Sequence, residues 1–597
     1  YIGGQDHLYI EPHSALAIPT EDNNMTIWCT SQYLASAQKD AAKVLGIHRN
    51  KVQAKVIRLG GGFGGKETRN VVISSSAALA ASILNRPVKI TLTRTEDLTM
   101  TGQRAAAWIK FKAGFNKDAS INALKYHFYT NAGFELDLSM GVNIHGLHKM
   151  DASYLTPNFY SSGDVCITHR PNNTAFRGFG TPQGLLASEA VIDYVARTLK
   201  MDHNDVRLKN MYNKGDCTPQ GQQLETDNLR QVFNEALKMS NYDQAKKDVE
   251  AFNKKHRWKK RGISCVPLKY GISMASKNVF FALVQGTALV NINTDGTVLI
   301  SHGGVEMGQG LHTKMVQIAA RELGIPTSMI EIKASDIDTI PNASATAASL
   351  GSDVYGIAVL NACTILKERL EPMKAKFPKA SWAEVTLQAW KHQISLSAVG
   401  FMKSDLCEFD FATGKGRLFE YFTYGACTSI VEIDCLTGAY QVLTADICMD
   451  LGQSLNPSID IGQIEGAYVQ GLGLMLLEEI AVETDPKSNK RGHMVSPNLT
   501  GYKIPSFRDI PIKFNVKLLE NSHNPYAVHS SKAVGEPPHC LSAASFFAVK
   551  DAIYSARAEN GETAYFELPC PATCEVIRLA CNDDIAKAYP QQPFEYQ

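Results

Sequence analysis

No stretch of about 18 consecutive apolar residues occurs in the chain, which argues against a membrane-crossing helix. No signal peptide opens it either. The 13 cysteines include no Cys-x-x-Cys, and an odd count without a secretory segment points to reduced thiols. A cytoplasmic setting is expected, with a peroxisomal one left open. An excess of one charge sign is missing as well: the net charge is +1, so neither nucleic acid nor a membrane surface is expected as a partner. Metal-ligand patterns are absent, with no His-Glu-x-x-His and no acidic loop at calcium spacing. A Gly-x-Ser-x-Gly elbow is also lacking, so serine hydrolysis has no positive signal.

What is present is ordinary globular material on a large scale. The 597 residues are 44% hydrophobic and 20% charged, enough for about four units of roughly 150 residues. Val52, Ala54 and Val56 alternate with polar residues and predict a strand, followed by a helix over 67–84 and a strand from Val88. Hairpins are expected at Thr294-Asp295-Gly296 and near Leu436-Thr437-Gly438. Helical spacing recurs at Met315, Ile318, Ala319 and Leu323. A helix-then-strand order around Leu45-Gly46-Ile47 returns around Leu323-Gly324-Ile325. That repeat predicts two related α/β halves, 1–240 and 263–597, joined by a charged connector at 241–262. The basic run within the connector, 254–261, reads as solvated.

Several glycine-rich turns carry the chemical signals. Gly60, Gly62 and Gly65 satisfy Gly-x-Gly-x-x-Gly between a strand and a helix, the arrangement that holds a dinucleotide phosphate. No acid stands about 20 residues on to hold a ribose. Glu67 takes the place where a phosphate-binding loop needs Ser or Thr for magnesium. A tight turn needing glycine explains the run equally well. Further turns at 303–310 and 462–471 are rich in Gln, and 344–349 is a run of small residues. Such turns suit a polar, multiply anionic ligand gripped by amides. Near the end, Glu536 precedes Pro537-Pro538, which fix the chain and remove two backbone donors. In an apolar setting such a carboxylate could be tuned as a base, and an exposed turn is the plainer alternative.

Together, Gly3-Gly4-Gln5, the 60–67 run, Asn173-Thr174-Ala175-Phe176-Arg177-Gly178-Phe179-Gly180, Glu306-Met307-Gly308-Gln309-Gly310, Thr346-Ala347-Ala348-Ser349 and Gly535-Glu536-Pro537-Pro538 resemble the xanthine dehydrogenase/aldehyde oxidase family. The resemblance runs in order over essentially the whole chain. It implies an α/β (α+β) fold of two related molybdopterin-binding domains, and a molybdenum cofactor with oxo and sulfido ligands. The pterin dithiolene would hold the metal, so no protein ligand is expected. It further implies a homodimer, and 2Fe-2S clusters and FAD on domains that precede Tyr1 in complete family members.

The implied reaction is hydroxylation of a purine-like N-heterocycle or an aldehyde with water as oxygen source, Glu536 being the general base. Gln32, Phe63, Arg177, Gln309, Ala348 and Gln463 would contact the cofactor. Glu67, His145, Phe179, Met274 and Ala275 would line the substrate slot. His145 stands where the xanthine enzymes of the family have an arginine, and Met274 and Ala275 where they have Phe and Thr. A ring that titrates near neutrality thus replaces a permanently charged fork, and Phe280 or Phe281 would have to replace the stacking ring. The wording of the 60–67 run leans to the xanthine side, with aldehyde oxidase specificity as the alternative. A nicotinamide-dependent dehydrogenase and an inactive duplicated interaction domain rank below. The first requires a doubly wound sheet that reverses strand order beside Gly60, and the second requires full-length protein without molybdenum.

Overall fold

Two of the four sheets share one strand order, which the repeated tripeptide alone only hints at. The computed structural model describes residues 1–272, 285–404, 406, 408–495 and 497–588. Met274, Ala275, Phe280 and Phe281 therefore lie outside the described residues. In the first sheet Ser14–Pro19 and Met25–Cys29 form an antiparallel hairpin. Helix Leu34–Leu45 crosses to Val52–Val56, which runs parallel to Met25–Cys29. Helix Asn70–Leu84 then returns to Val88–Thr91, antiparallel to Ser14–Pro19.

The second sheet repeats every step. Gln285–Ile292 and Val298–His302 pair as a hairpin, and helix Leu311–Leu323 crosses to the parallel strand Ile330–Ile332. Helix Gly351–Lys376 leads, by way of the shorter helix Trp382–Lys391, to Ser397–Lys403, antiparallel to Gln285–Ile292. Parallel neighbours need a long crossover, which explains why a helix recurs at the same place in both. The shared tripeptide is the helix stop: Gly46 (φ +67°) and Gly324 (φ +70°) each cap a helix in the left-handed region.

The other two sheets are related in the same way. Ala107–Phe115 and Ile121–Gly133 form a hairpin, and helix Ser139–His148 crosses to the parallel strand Asn158–Ile167. Tyr421–Asp434, Tyr440–Asp450, helix Pro457–Leu472 and the parallel strand Lys513–Leu518 follow suit, with Lys259–Ile272 added at the edge. The duplication is therefore topological. The halves nevertheless interpenetrate: Ser335–Asp336, from the second, completes the first sheet beside Val56 and Lys55. One apolar core draws on both 107–206 and 266–577.

The strand over 52–56 is present, its Val52, Ala54 and Val56 buried. The helix expected over 67–84 begins at Asn70, because residues 67–69 remain in the turn that leaves the glycine run. Both expected hairpins form. Tyr242–Lys255 is a helix, and Lys260, within the next strand, is fully buried. Its ammonium donates to the Asn253 carbonyl at 2.8 Å and pairs with Glu559, so the basic run is only partly solvated. Every described cysteine is a free thiol. Among the described residues, no helix is long and apolar enough to cross a membrane.

Candidate active site

Loops from both halves converge on a cavity of about 900 Å³. Gln32, Phe63, Glu67, His145, Arg177, Phe179, Gln309, Ala348, Gln463 and Glu536, scattered over some 500 positions of sequence, all line it. The walls are clamped by Gln32. Its side-chain oxygen accepts from the amides of Gly64 (3.1 Å) and Lys66 (3.3 Å), and its Nε2 donates to the Thr346 carbonyl (2.9 Å). The Gln32 backbone repeats the bridge to the same two loops, receiving from Thr346 N and donating to Lys66 O. One buried amide thus fixes the glycine run against the small-residue run.

The cavity lining is backbone-strained. Phe63 (φ +55°), Phe179 (φ +44°), Ala348 (φ +55°) and Ser349 (φ +59°) all sit in the left-handed region, which non-glycine residues rarely adopt. Strain of this kind costs about 1–3 kcal/mol per residue and persists where surrounding bonds over-determine it. Here those bonds include Arg177 N to Phe63 O at 2.9 Å and Phe179 N to Phe176 O at 2.8 Å.

Glu536 stands immediately before the short helix Pro537–Cys540. Its two carboxylate oxygens are held from opposite halves: Gly178 N–H donates to Oε1 at 2.9 Å and the Ser349 hydroxyl donates to Oε2 at 3.1 Å. Arg177 reaches beneath the same loop. Its Nε donates to the Gly535 carbonyl, and its Nη2 donates to Oε1 of Gln463 at 3.1 Å. Burial pushes the guanidinium down to about 10, opposed by the nearby Glu536, so it stays charged at neutral pH. Burial pushes Glu67 up to about 8, with repulsion from Asp137 and Glu536 adding to it, so it is mostly a neutral acid at pH 7. His145 is held well below the ordinary imidazole range by burial, then by the Lys149 charge. Its Nδ1 lies 2.8 Å from the Phe179 carbonyl, and its ring meets the Phe179 ring edge-on at 5.4 Å.

The dinucleotide reading of the glycine run does not survive. Two amides that would grip a phosphate are taken by Gln32, and the sheet is mixed rather than doubly wound. Lys66 points away from the cavity and pairs with Glu11 at 2.9 Å under the Tyr9 ring. Gln309 lines the cavity but turns its amide onto its own loop, binding Met307 N and Val305 O. Sequence reasoning missed Ser349 as a partner of Glu536, and Gln470 as the acceptor of a 3.4 Å bond from Arg177. It also missed Lys149, buried with its ammonium 3.5 Å from the centre of the Tyr270 ring and without a hydrogen-bond partner among the described residues. Its place four residues after His145 was the available signal.

The cavity fits a large polar cofactor with its own metal ligands. A Cβ placed on Gly308, Gly462 or Gly466, all in the lining, would meet nothing within 4 Å among the described residues, so these glycines floor an open cradle. Among the described residues no three His, Cys, Asp or Glu side chains converge to hold an ion. A metal here would take its ligands from the cofactor.

The molybdopterin cofactor-binding domain family matches the chain twice, over residues 1–211 and 235–511. Xanthine dehydrogenase/oxidase of Gallus gallus is 48% identical over 591 residues, 99% of this chain and 43% of that protein. Xanthine dehydrogenase of Calliphora vicina is 46% identical over 593 residues, again 99% and 43%. The chain thus spans less than half the length of these relatives. The aldehyde oxidoreductase of Desulfovibrio gigas superposes with a TM-score of 0.83 at 25% identity, over 98% of this chain and 60% of that one. With both cofactor-binding segments matched in order and nearly its whole length aligned to xanthine dehydrogenases, the chain belongs to the xanthine dehydrogenase/aldehyde oxidase family, as the portion carrying the molybdopterin cofactor-binding domains.

Proposed function

We propose that the full-length protein hydroxylates an N-heterocycle or an aldehyde with water as oxygen source, and that Glu536 is its general base. The single observation that carries this reading is the Glu536 carboxylate, suspended at the cavity wall by one donor from each half of the chain. When bound, the molybdenum cofactor supplies the two-electron redox chemistry. The chain's own residues do the rest. Gly308, Gly462 and Gly466 leave room for the cofactor, while Arg177, Gln463 and Gln32 hold the loops around it. Glu536 takes a proton at Oε2, where the Ser349 hydroxyl can turn from donor to acceptor as the carboxylate becomes an acid. Glu67, His145 and Phe179 orient the substrate.

Electrons then pass to iron–sulfur and flavin centres on the family's other domains, in a homodimer of the cytoplasm or peroxisome. A xanthine-type substrate is favoured by the kinship with xanthine dehydrogenases. An aldehyde is the second reading, favoured by a neutral imidazole in the slot and by the aldehyde oxidoreductase likeness. The test is Glu536→Gln in full-length holoenzyme. Turnover of purines and aldehydes should fall by at least about a hundredfold, the usual range for a lost general base, with molybdenum content unchanged. Native-like turnover removes Glu536 from the chemistry, and native protein devoid of molybdenum removes the reading.

A further inference from the structure

His145 can offer the cavity only one kind of polar contact. Its Nδ1 sits 2.8 Å from the Phe179 main-chain oxygen, and a carbonyl accepts but never donates. The hydrogen must therefore be on Nδ1. The half-buried ring is neutral at pH 7, because desolvation and the neighbouring Lys149 both disfavour the imidazolium. A neutral imidazole with its hydrogen on Nδ1 carries a lone pair on Nε2. Nε2 is the remaining polar atom of a ring that lines the cavity. The Phe179 and Tyr270 rings flank it, their centroids 5.4 Å and 6.4 Å from its own.

We propose that His145 makes this pocket selective for N-heterocycles that present a hydrogen-bond donor, an exocyclic amino group in particular, over analogues that present only an oxygen acceptor. This deepens the function proposed above and rests on it. An oxygen facing Nε2 sets two lone pairs against each other, whereas an amino group completes the bond. Glu67 is compatible with such a substrate. As a mostly neutral acid it offers both a donor and an acceptor, matching the ring nitrogen and amino group that an aminoheterocycle carries side by side.

The experiment is equilibrium binding to full-length holoenzyme of 6-aminopurine against 6-methoxypurine, which keeps the ring system but offers an ether oxygen. Native protein should favour the amino compound by about tenfold, the size of one hydrogen bond made rather than frustrated. His145→Arg, whose guanidinium only donates, should erase or invert that preference. His145→Gln, whose amide oxygen can accept, should keep part of it. An unchanged ratio in His145→Arg overturns the proposal, as does native protein that binds neither purine or prefers the methoxy compound. Those results leave the proposed reaction standing wherever aldehydes are still turned over with a dependence on Glu536. Loss of that dependence, with the binding preference intact, sinks the reaction instead.

Discussion

Glu67 has a carboxyl group that titrates near 8, far from the 4.5 of an exposed glutamate, because burial penalises its charged form. Between those two values the folded chain keeps a proton that the unfolded chain has lost. The stability this group contributes is therefore full below about pH 4.5 and lost as the pH rises through about 8. Glu67→Gln keeps the shape and cannot ionise. Urea midpoints of native and variant full-length protein should diverge in the variant's favour between about pH 5 and about pH 9. Parallel curves would mean that Glu67 is already ionised near neutrality. Asp6, Asp353 and Glu478 are raised in the same way but are common to both proteins and cancel. At this scale the sequence was informative where a residue sits in a marked turn, as Glu536 does before its prolines. It was silent on Ser349, whose role comes from a partner far along the chain.

Among the elements, the glycine run and the helix Pro457–Leu472 show how differently two glycines in one cavity wall can be constrained. Gly64 has φ +107°, and a Cβ there would lie 2.5 Å from the Ala175 carbonyl oxygen. Gly64→Ala should destabilise the protein by more than about 1 kcal/mol, since it is both conformationally strained and blocked by backbone. Gly462 is helical and faces open space. Gly462→Ala should stabilise its helix by about 0.5–1 kcal/mol, yet fill part of the cradle and lower molybdenum cofactor content. Unfolding midpoints and metal analysis of both variants separate the two effects. Full cofactor content in Gly462→Ala would move the cofactor away from that helix. Elements with local signals were legible: the alternation at 52–56, the two hairpins, and the helix-then-strand order around 45–47 and 323–325. The start of helix Asn70–Leu84 was not, because the turn before it is fixed by Gln32 rather than by a capping residue of its own.

The whole molecule joins two copies of one strand order so closely that one apolar core is built from both. Helix Thr181–Leu199 and helix Ala543–Glu559, one from each half, are pinned by Lys550 to Asp193 at 2.7 Å and Arg197 to Asp551 at 2.6 Å. Ile192 and Val195 lie in the same apolar core as Ala548 and Ile553. Removing either half would expose these side chains, each fully buried aliphatic losing about 1.5–3 kcal/mol, and would break both ion pairs that join the two helices. Periodicity could suggest the duplication but not this shared core, because the contacts that fuse the halves are hundreds of residues apart. Residues 1–240 and 263–597 produced as separate chains should each bind a hydrophobic dye and unfold without a sharp transition. Mixed, they should form a complex that regains cooperative unfolding, since the Ser335–Asp336 strand and the helix pair can reassemble across the break. If 1–240 alone unfolds sharply and binds no dye, the shared core is not what holds the halves together, and the cavity between their loops would then depend on the bound cofactor for its shape.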